Sequence, residues 1–143
     1  MSSNSLRLLA IEDSDERLEI LRQWIPEQFR LVCVRSAGRA LRVLEMDAGR
    51  VYAGILLDHD LDQNVALDSE MTLSGQQVAH RLADLIDPDT PVLIHSVNLL
   101  GSRAMERTLT GRGFDVTRTP FPQLTEHRLR RWLEIVASEW DLE

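Results

Sequence analysis

Short apolar runs alternate with longer segments in which apolar residues recur every three or four positions, and this alternation repeats about five times along the chain. Runs of about four to eight apolar residues predict buried strands, whereas the 3.6-residue period predicts amphipathic helices. Strands are therefore expected over residues 6–11, 31–34, 51–57, 92–97 and 114–119. A strand–helix alternation without a linker is typical of a doubly wound α/β domain, so we expect one parallel sheet with helices on both faces.

The helical segments begin at residues that favour helix starts. Ser14 and Ser36 each precede such a segment and are predicted N-caps, because a serine oxygen accepts a hydrogen bond from an amide of the first turn. Ser74-Gly75 opens a third helix, and a fourth is predicted over residues 101–112. The last helix carries an apolar stripe formed by Leu129, Trp132, Leu133, Val136 and Trp140. Residues 59–73 show neither the strand pattern nor the helix period, so a long loop is predicted there.

The length of 143 residues suits a single domain, since domains of about 100–150 residues are the commonest. We expect one domain over residues 1–143 with a core over about 6–140. The apolar stretch from Leu8 to Ile11 is short and is followed directly by acidic residues. It is typical of neither a signal peptide nor a membrane span, so the sequence predicts a cytoplasmic protein without a membrane partner.

The absence of lysine and the net negative charge argue against several classes of function. All 16 basic residues are arginine and the chain has no lysine, which excludes a phosphate-loop lysine and a Schiff-base lysine. The net charge of −7 argues against binding to duplex nucleic acid, because proteins that bind the phosphate backbone are normally basic.

Polar residues follow four of the five predicted strands. In an open parallel sheet, ligands bind beyond the carboxyl ends of the strands, so these residues are expected to share one rim. Carboxylates that converge there raise one another's pKa unless a cation neutralises them, and an all-oxygen site suits Mg²⁺ or a similar hard divalent cation. The alternative is that such acids only cap the following helices. The candidate metal ligands are Glu12, Asp13, Asp58 and Asp60.

The arrangement of an acidic pair after the first strand, an aspartate ending the third and a hydroxyl residue ending the fourth resembles the receiver domains of two-component signalling. The resemblance covers residues 6–140 and implies a flavodoxin-like three-layer sandwich with the strand order 2-1-3-4-5. It also implies that the acidic residues bind Mg²⁺ and that the aspartate accepts a phosphoryl group held by the hydroxyl residue and a lysine. The matching residues are Glu12, Asp13, Asp58 and Ser96.

The lysine of that pattern is missing. Thr119, before Pro120, stands at its position, so the charge of a phosphate must be met by other groups, of which Arg103 and Arg118 are the candidate side chains besides the imidazoles. Two longer strings carry a narrower resemblance. Leu57-Asp58-His59-Asp60-Leu61, and then His95-Ser96-Val97-Asn98 with Gly101 and Met105, are similar to the cyclic-phosphate-processing receiver group. This resemblance implies a pocket that acts on cyclic phosphates. The chain departs from the group in the Glu12-Asp13 pair and in a longer loop before Gly75.

The chemistry of phosphodiester cleavage needs charge neutralisation, a base and an acid. His59 and His95 are the candidate groups for proton transfer, and with Asp58 and Ser96 they form the predicted catalytic set. An extended backbone would turn His59 away from Asp58, unless the chain turns after Asp58. The predicted substrate-binding residues are Asn98, Gly101 with its helix N-terminus, and Thr119.

Three functions are compatible with these residues. The favoured one is a stand-alone receiver-like domain that binds or processes a phosphorylated substrate, such as a cyclic phosphate, a small molecule or an RNA end, as a metal-dependent phosphoesterase. The alternatives are a response-regulator receiver phosphorylated on Asp58 and a pseudo-receiver that only associates with other proteins. A protein partner or a homodimer would use the C-terminal helices.

Overall fold

The structure, a computed structural model, describes residues 5–60 and 75–141. Its centre is a five-stranded parallel sheet in the order β2-β1-β3-β4-β5, which confirms the predicted fold and strand order. The strands are β1 (Leu6–Ile11), β2 (Phe29–Val34), β3 (Gly54–Leu57), β4 (Val92–Ile94) and β5 (Val116–Arg118).

Helices cover both faces of the sheet. Their bounds are α1 (Asp15–Trp24), α2 (Ala37–Met46), α3 (Gly75–Leu85), α4 (Leu99–Thr110) and α5 (Glu126–Asp141), with a short 3₁₀ turn over Phe121–Gln123. The side chains of Ser14 and Ser36 accept hydrogen bonds from the amides of Arg17 and Arg39, so both predicted N-caps are confirmed. None of the helices in these described ranges is both long and apolar enough to cross a membrane.

Three strands are shorter than the sequence pattern predicts. β3 begins at Gly54 rather than at residue 51, β4 ends at Ile94 rather than at residue 97, and β5 spans Val116–Arg118 rather than residues 114–119. β4 stops early because its partner β5 has only three residues and because the chain turns to begin α4, which Asn98 caps. α4 consequently starts at Leu99 rather than at residue 101. Ser74 and most of the predicted loop over residues 59–73 lie outside the described residues.

Side chains alternate between the two faces of each strand and build two separate cores. The core against α2, α3 and α4 includes Leu9, Ile11, Ile55, Leu57 and Ile94. The core against α1 and α5 includes Leu8, Ala10, Leu56, Leu93 and Trp132. The same alternation places Glu12, Asp58 and His95 on the α1 and α5 face at the carboxyl edge of the sheet, because each lies two positions after Ala10, Leu56 or Leu93.

Candidate functional site

Glu12, Asp58 and His95 form one polar layer at that edge, on the three adjacent strands β1, β3 and β4. The layer follows from the strand register, which aligns the last residues of the three strands, and from two further backbone hydrogen bonds. The Asp58 amide donates to the Ile11 carbonyl and the His95 amide donates to the Leu57 carbonyl, both at 3.1 Å. The three residues are 0%, 2% and 0% exposed, so ionisable groups are buried directly above an apolar core.

Glu12 is held at both carboxylate oxygens. His95 Nε2 lies 2.8 Å from Glu12 Oε1, and the Ser14 amide donates to Oε2 at 2.9 Å. Burial alone would raise the pKa of Glu12. The hydrogen bond and charge of His95, the Ser14 amide and the charge of Arg17 together outweigh it, and the pKa lies below its ordinary value. Glu12 is therefore the carboxylate of the layer that stays ionised most readily.

Asp58 has the opposite electrostatic balance. Burial, followed by the charge of Glu12, raises the pKa of Asp58, although His95, the Ser96 side chain and Arg17 act against this shift. Its Oδ1 accepts a hydrogen bond from the His59 amide at 2.8 Å. Asp13 behaves similarly, because burial and then the charge of Glu12 raise its pKa. The charge of Glu12 thus contributes to the raised pKa of both aspartates.

The polar layer has the composition of a cation site. One potential ligand atom from each of Glu12, Asp58 and His95 lies within 4.8 Å of the others. Above them, Asp13 and Asp60 help to line an open depression of about 400 Å³. Carboxylate oxygens are the ligands that Mg²⁺ takes, and an added imidazole is also compatible with Mn²⁺ and similar ions. These residues fit a divalent cation.

Arg17 is a member of this site that the sequence pattern does not reveal. Its Nη1 lies 3.7 Å from Glu12 Oε1 and 3.9 Å from Asp58 Oδ2, and its side chain lines the same depression. Its guanidinium carbon lies 5.2 Å from the centre of the Phe121 ring, in cation–π contact. The one available signal is the position of Arg17 three residues after the Ser14 N-cap, because the first turn of α1 begins at the carboxyl edge of the sheet.

His59, Asp60, Asn98 and Gly101 form a second polar cluster beside the layer. His59 Nδ1 lies 2.9 Å from Asp60 Oδ1, and Asn98 Nδ2 donates to the same oxygen at 3.1 Å. Burial pushes the pKa of Asp60 up, but the hydrogen bonds from His59 and Asn98 bring it below its ordinary value. Asn98 Oδ1 accepts from the Gly101 amide at 2.8 Å, so the predicted anion-binding N–H of Gly101 is already hydrogen-bonded to the helix cap.

The His59 ring lies directly on the backbone of α4. A Cβ built on Gly101 would stand 2.5 Å from Cγ and Cδ2 of His59, closer than two such atoms can approach. The His59 ring can pack here because glycine at position 101 has no side chain. His59 is 20% exposed at its side chain and reaches solvent, whereas His95 is completely buried. The two imidazoles lie in different clusters, and Asn98 Nδ2 is 3.4 Å from His59 Nδ1.

The remaining predicted residues have distinct positions. Ser96 is buried beside Asp58, and its Oγ accepts from the Asn98 amide at 3.1 Å. Thr119 lines another depression, of about 560 Å³, together with residues of α5. Arg118 Nε donates to Glu106 Oε1 at 2.6 Å, away from the carboxylates of the layer.

Comparison with known proteins identifies one family and the fold. The family described as the cyclic-phosphate processing receiver domain matches residues 8–111. No curated protein matches the chain. The receiver domain of a Pseudomonas aeruginosa sensor histidine kinase, solved with a magnesium ion coordinated in its active-site cleft, is 17% identical with a TM-score of 0.66, and the match covers 91% of this chain and 95% of that one.

Two further solved structures have the same architecture. The signal receiver domain of an HD domain-containing protein from Pseudomonas fluorescens is 18% identical with a TM-score of 0.69, covering 97% of this chain and 99% of that one. The response regulator domain of Thermotoga maritima CheB is 16% identical with a TM-score of 0.65, covering 97% and 98%. At these identities the likeness establishes the fold.

Proposed function

The chain belongs to the family of cyclic-phosphate processing receiver domains, and from this membership we propose that its carboxyl-edge depression binds a divalent cation together with the phosphoryl group of a phosphorylated ligand. The ligand class we favour is a cyclic phosphodiester, on a small molecule or at an RNA end. The reaction we favour is its hydrolysis to a phosphomonoester.

The observation that carries the proposal is the burial of Glu12 and Asp58 in one layer with His95. Taking a carboxylate out of water costs on the order of several kcal/mol unless an opposite charge lies close by. Such a cluster is tolerated in a marginally stable protein when it serves a ligand, and a divalent cation is the ligand whose charge offsets two carboxylates. Bound there, the cation would neutralise charge on the non-bridging phosphate oxygens.

The residues divide into ligands and orienting groups. Glu12, Asp13, Asp58 and Asp60 would hold the cation, either through their carboxylates or through bound water. His95 positions Glu12 through the 2.8 Å contact and has no exposed surface with which to reach a substrate. Ser96 lies beside Asp58, and Asn98 Nδ2 donates to Asp60 Oδ1.

His59 is the group we assign to proton transfer. Its ring reaches solvent, and Asp60 accepts from it when Nδ1 carries the proton, which orients the ring and fixes its tautomer. In hydrolysis, a water oxygen forms a new bond to phosphorus while one ester P–O bond breaks. The proton lost by the water is taken up by a base, and the alkoxide that leaves receives a proton from an acid; His59 is suited to one of these transfers.

A second candidate function is a phosphorelay receiver. The position of Asp58 at the end of β3, with Ser96 beside it, favours phosphorylation of Asp58, whereas Thr119 in place of a lysine does not. Incubation with 2′,3′-cyclic nucleotides and Mg²⁺ separates the two candidates. We expect release of a nucleoside monophosphate by the wild type and none by Asp58→Asn, with Asp115→Asn, an exposed aspartate, as the matched control.

A parallel incubation with acetyl phosphate completes the test. A gain in mass of one phosphoryl group on Asp58, without turnover of any cyclic phosphate, would replace the hydrolase proposal with the phosphorelay receiver. An unmodified protein that also leaves every cyclic nucleotide intact would leave only association with other proteins as a function for the site.

A further inference from the structure

We propose that Arg17 binds the phosphoryl oxygens of the ligand, and so supplies from α1 the positive charge that Thr119 does not supply after β5. The proposal rests on the proposed function of the depression and adds to it the side chain that recognises the anion. Glu12 and Asp58 take ligands of positive charge, so an anion bound beside them needs a cation of its own.

The position of Arg17 matches this role. In the described part of the chain, both arginine contacts to Glu12 and Asp58 are made by Arg17, at 3.7 and 3.9 Å. Both distances exceed the length of an N–H···O hydrogen bond, so the contacts are electrostatic and leave the donors of Nη1 unused by these carboxylates. A guanidinium offers five N–H donors in a rigid fork that matches two phosphate oxygens at once.

Arg17 is also held in place from the other side. The Phe121 ring lies under the guanidinium, with its centre 5.2 Å from the guanidinium carbon. The backbone of Phe121 is held in turn by a hydrogen bond from its amide to the His95 carbonyl at 2.9 Å. The Arg17 side chain remains 28% exposed and lines the depression together with Asp13, Asp58 and Asp60. The guanidinium is therefore oriented by an aromatic ring and open to the solvent from which a ligand arrives.

Two other arginines near this edge are paired with acids, Arg118 with Glu106 and Arg35 with Asp15. Arg22 lies in the last turn of α1, 3.6 Å from Glu19. Arg22 is a suitable control, since it belongs to the same helix and has the same charge but lines no part of the depression.

A cation beside a metal site and an anion site affects the two in opposite directions. Removing Arg17 removes repulsion of a divalent cation, so Mg²⁺ should bind more tightly. It also removes attraction for phosphate, so phosphate should bind more weakly. A residue that only maintained the fold would weaken both interactions when replaced, which makes the opposite signs diagnostic.

The experiment is calorimetric titration of the whole chain, first with Mg²⁺ alone and then with inorganic phosphate at saturating Mg²⁺. For Arg17→Ala we expect about threefold tighter Mg²⁺ binding and about tenfold weaker phosphate binding, the size of one charge pair at a partly exposed site. Arg17→Lys should restore part of the phosphate affinity, because the charge returns without the fork. Arg22→Ala should match the wild type in both titrations.

Each result has a separate meaning. Phosphate binding by Arg17→Ala at wild-type strength would overturn the role of Arg17 and leave the proposed function intact. Weaker binding of both Mg²⁺ and phosphate would overturn it in favour of a structural role. A wild type that binds Mg²⁺ but no phosphate would overturn the phosphate site itself, and Arg17 with it. Phe121→Leu, which removes the ring beneath the guanidinium, should weaken phosphate binding less than Arg17→Ala does.

Discussion

His95 Nε2 and Glu12 Oε1 lie 2.8 Å apart although the two residues are 83 positions apart in the sequence, and both side chains are completely buried. The contact joins the ends of β1 and β4 across the end of β3. It holds the Glu12 carboxylate at the edge of the depression.

Replacing His95 by leucine should destabilise the protein strongly. The change leaves Glu12 Oε1 buried without the partner it has in the wild type, and breaking a buried charged contact costs about 3–5 kcal/mol. We expect a loss in the free energy of unfolding of about 3 kcal/mol, measured by urea denaturation. His127→Leu, at an exposed position on α5, is the control. Equal stability of the two variants would show that the contact contributes nothing.

Replacing Asp58 by asparagine should stabilise the protein in the absence of divalent cations. Its pKa is raised in the folded state, so the stability it contributes is complete below its unfolded pKa and is lost as the pH rises through the folded pKa. The difference between Asp58→Asn and the wild type should be small near about pH 4 and reach about 1–2 kcal/mol at about pH 7.

Thermal unfolding with and without Mg²⁺ extends the same comparison. Added Mg²⁺ should raise the Tm of the wild type and leave that of Asp58→Asn unchanged, because a ligand stabilises only the protein that binds it. Asp115→Asn should respond to Mg²⁺ as the wild type does. If Asp58→Asn were no more stable than the wild type at neutral pH without divalent cations, the burial of an ionised Asp58 would be contradicted.

Replacing Gly101 by alanine should displace the His59 ring. The added Cβ would stand 2.5 Å from two ring atoms of His59, and an overpacked site of this kind costs about 1–3 kcal/mol. The double variant Gly101→Ala/His59→Ala removes the clash and should lose less stability than the sum of the two single changes. Strict additivity in urea denaturation would argue against the close approach.

Asn98 links the start of α4 to Asp60, and two substitutions separate these contacts. Asn98→Ala loses both the cap on the Gly101 amide and the hydrogen bond to Asp60, which should cost about 1–2 kcal/mol. Asn98→Asp keeps an oxygen for the cap but places a second carboxylate against Asp60, which raises the pKa of Asp60. Nuclear magnetic resonance titration of the Asp60 carboxyl carbon should show that rise, and an unchanged pKa would contradict the contact.

The fold is predictable from the sequence because nearly every segment shows either a short apolar run, typical of a buried strand, or the 3.6-residue period of an amphipathic helix. Strand ends are less predictable, since Val51 and Val97 extend apolar runs beyond the residues that pair in the sheet. The number of residues that pair depends on the neighbouring strand, and β5 is short. Local sequence does not contain that information.

The candidate site is predictable in part. The convergence of Glu12, Asp58 and His95 follows from parallel strands with polar ends, and alternation predicts that His59 and Asp58 point in different directions. Arg17 is different, because the reach of its guanidinium depends on the packing of Phe121 from the far end of the chain. The sequence instead offers Arg103 and Arg118 in place of the missing lysine, and the structure pairs Arg118 with Glu106.

Phe121 has a neighbour on its other side as well. The indole of Trp24 stacks on it with ring centres 6.3 Å apart and the planes 16° from parallel. Arginine, phenylalanine and tryptophan thus form a continuous column from the depression to the end of α1. A ligand that moves the guanidinium would disturb this column, and the fluorescence of Trp24 would report the change. Because Trp24 is one of three tryptophans in the chain, Trp24→Phe would remove only its part of the signal.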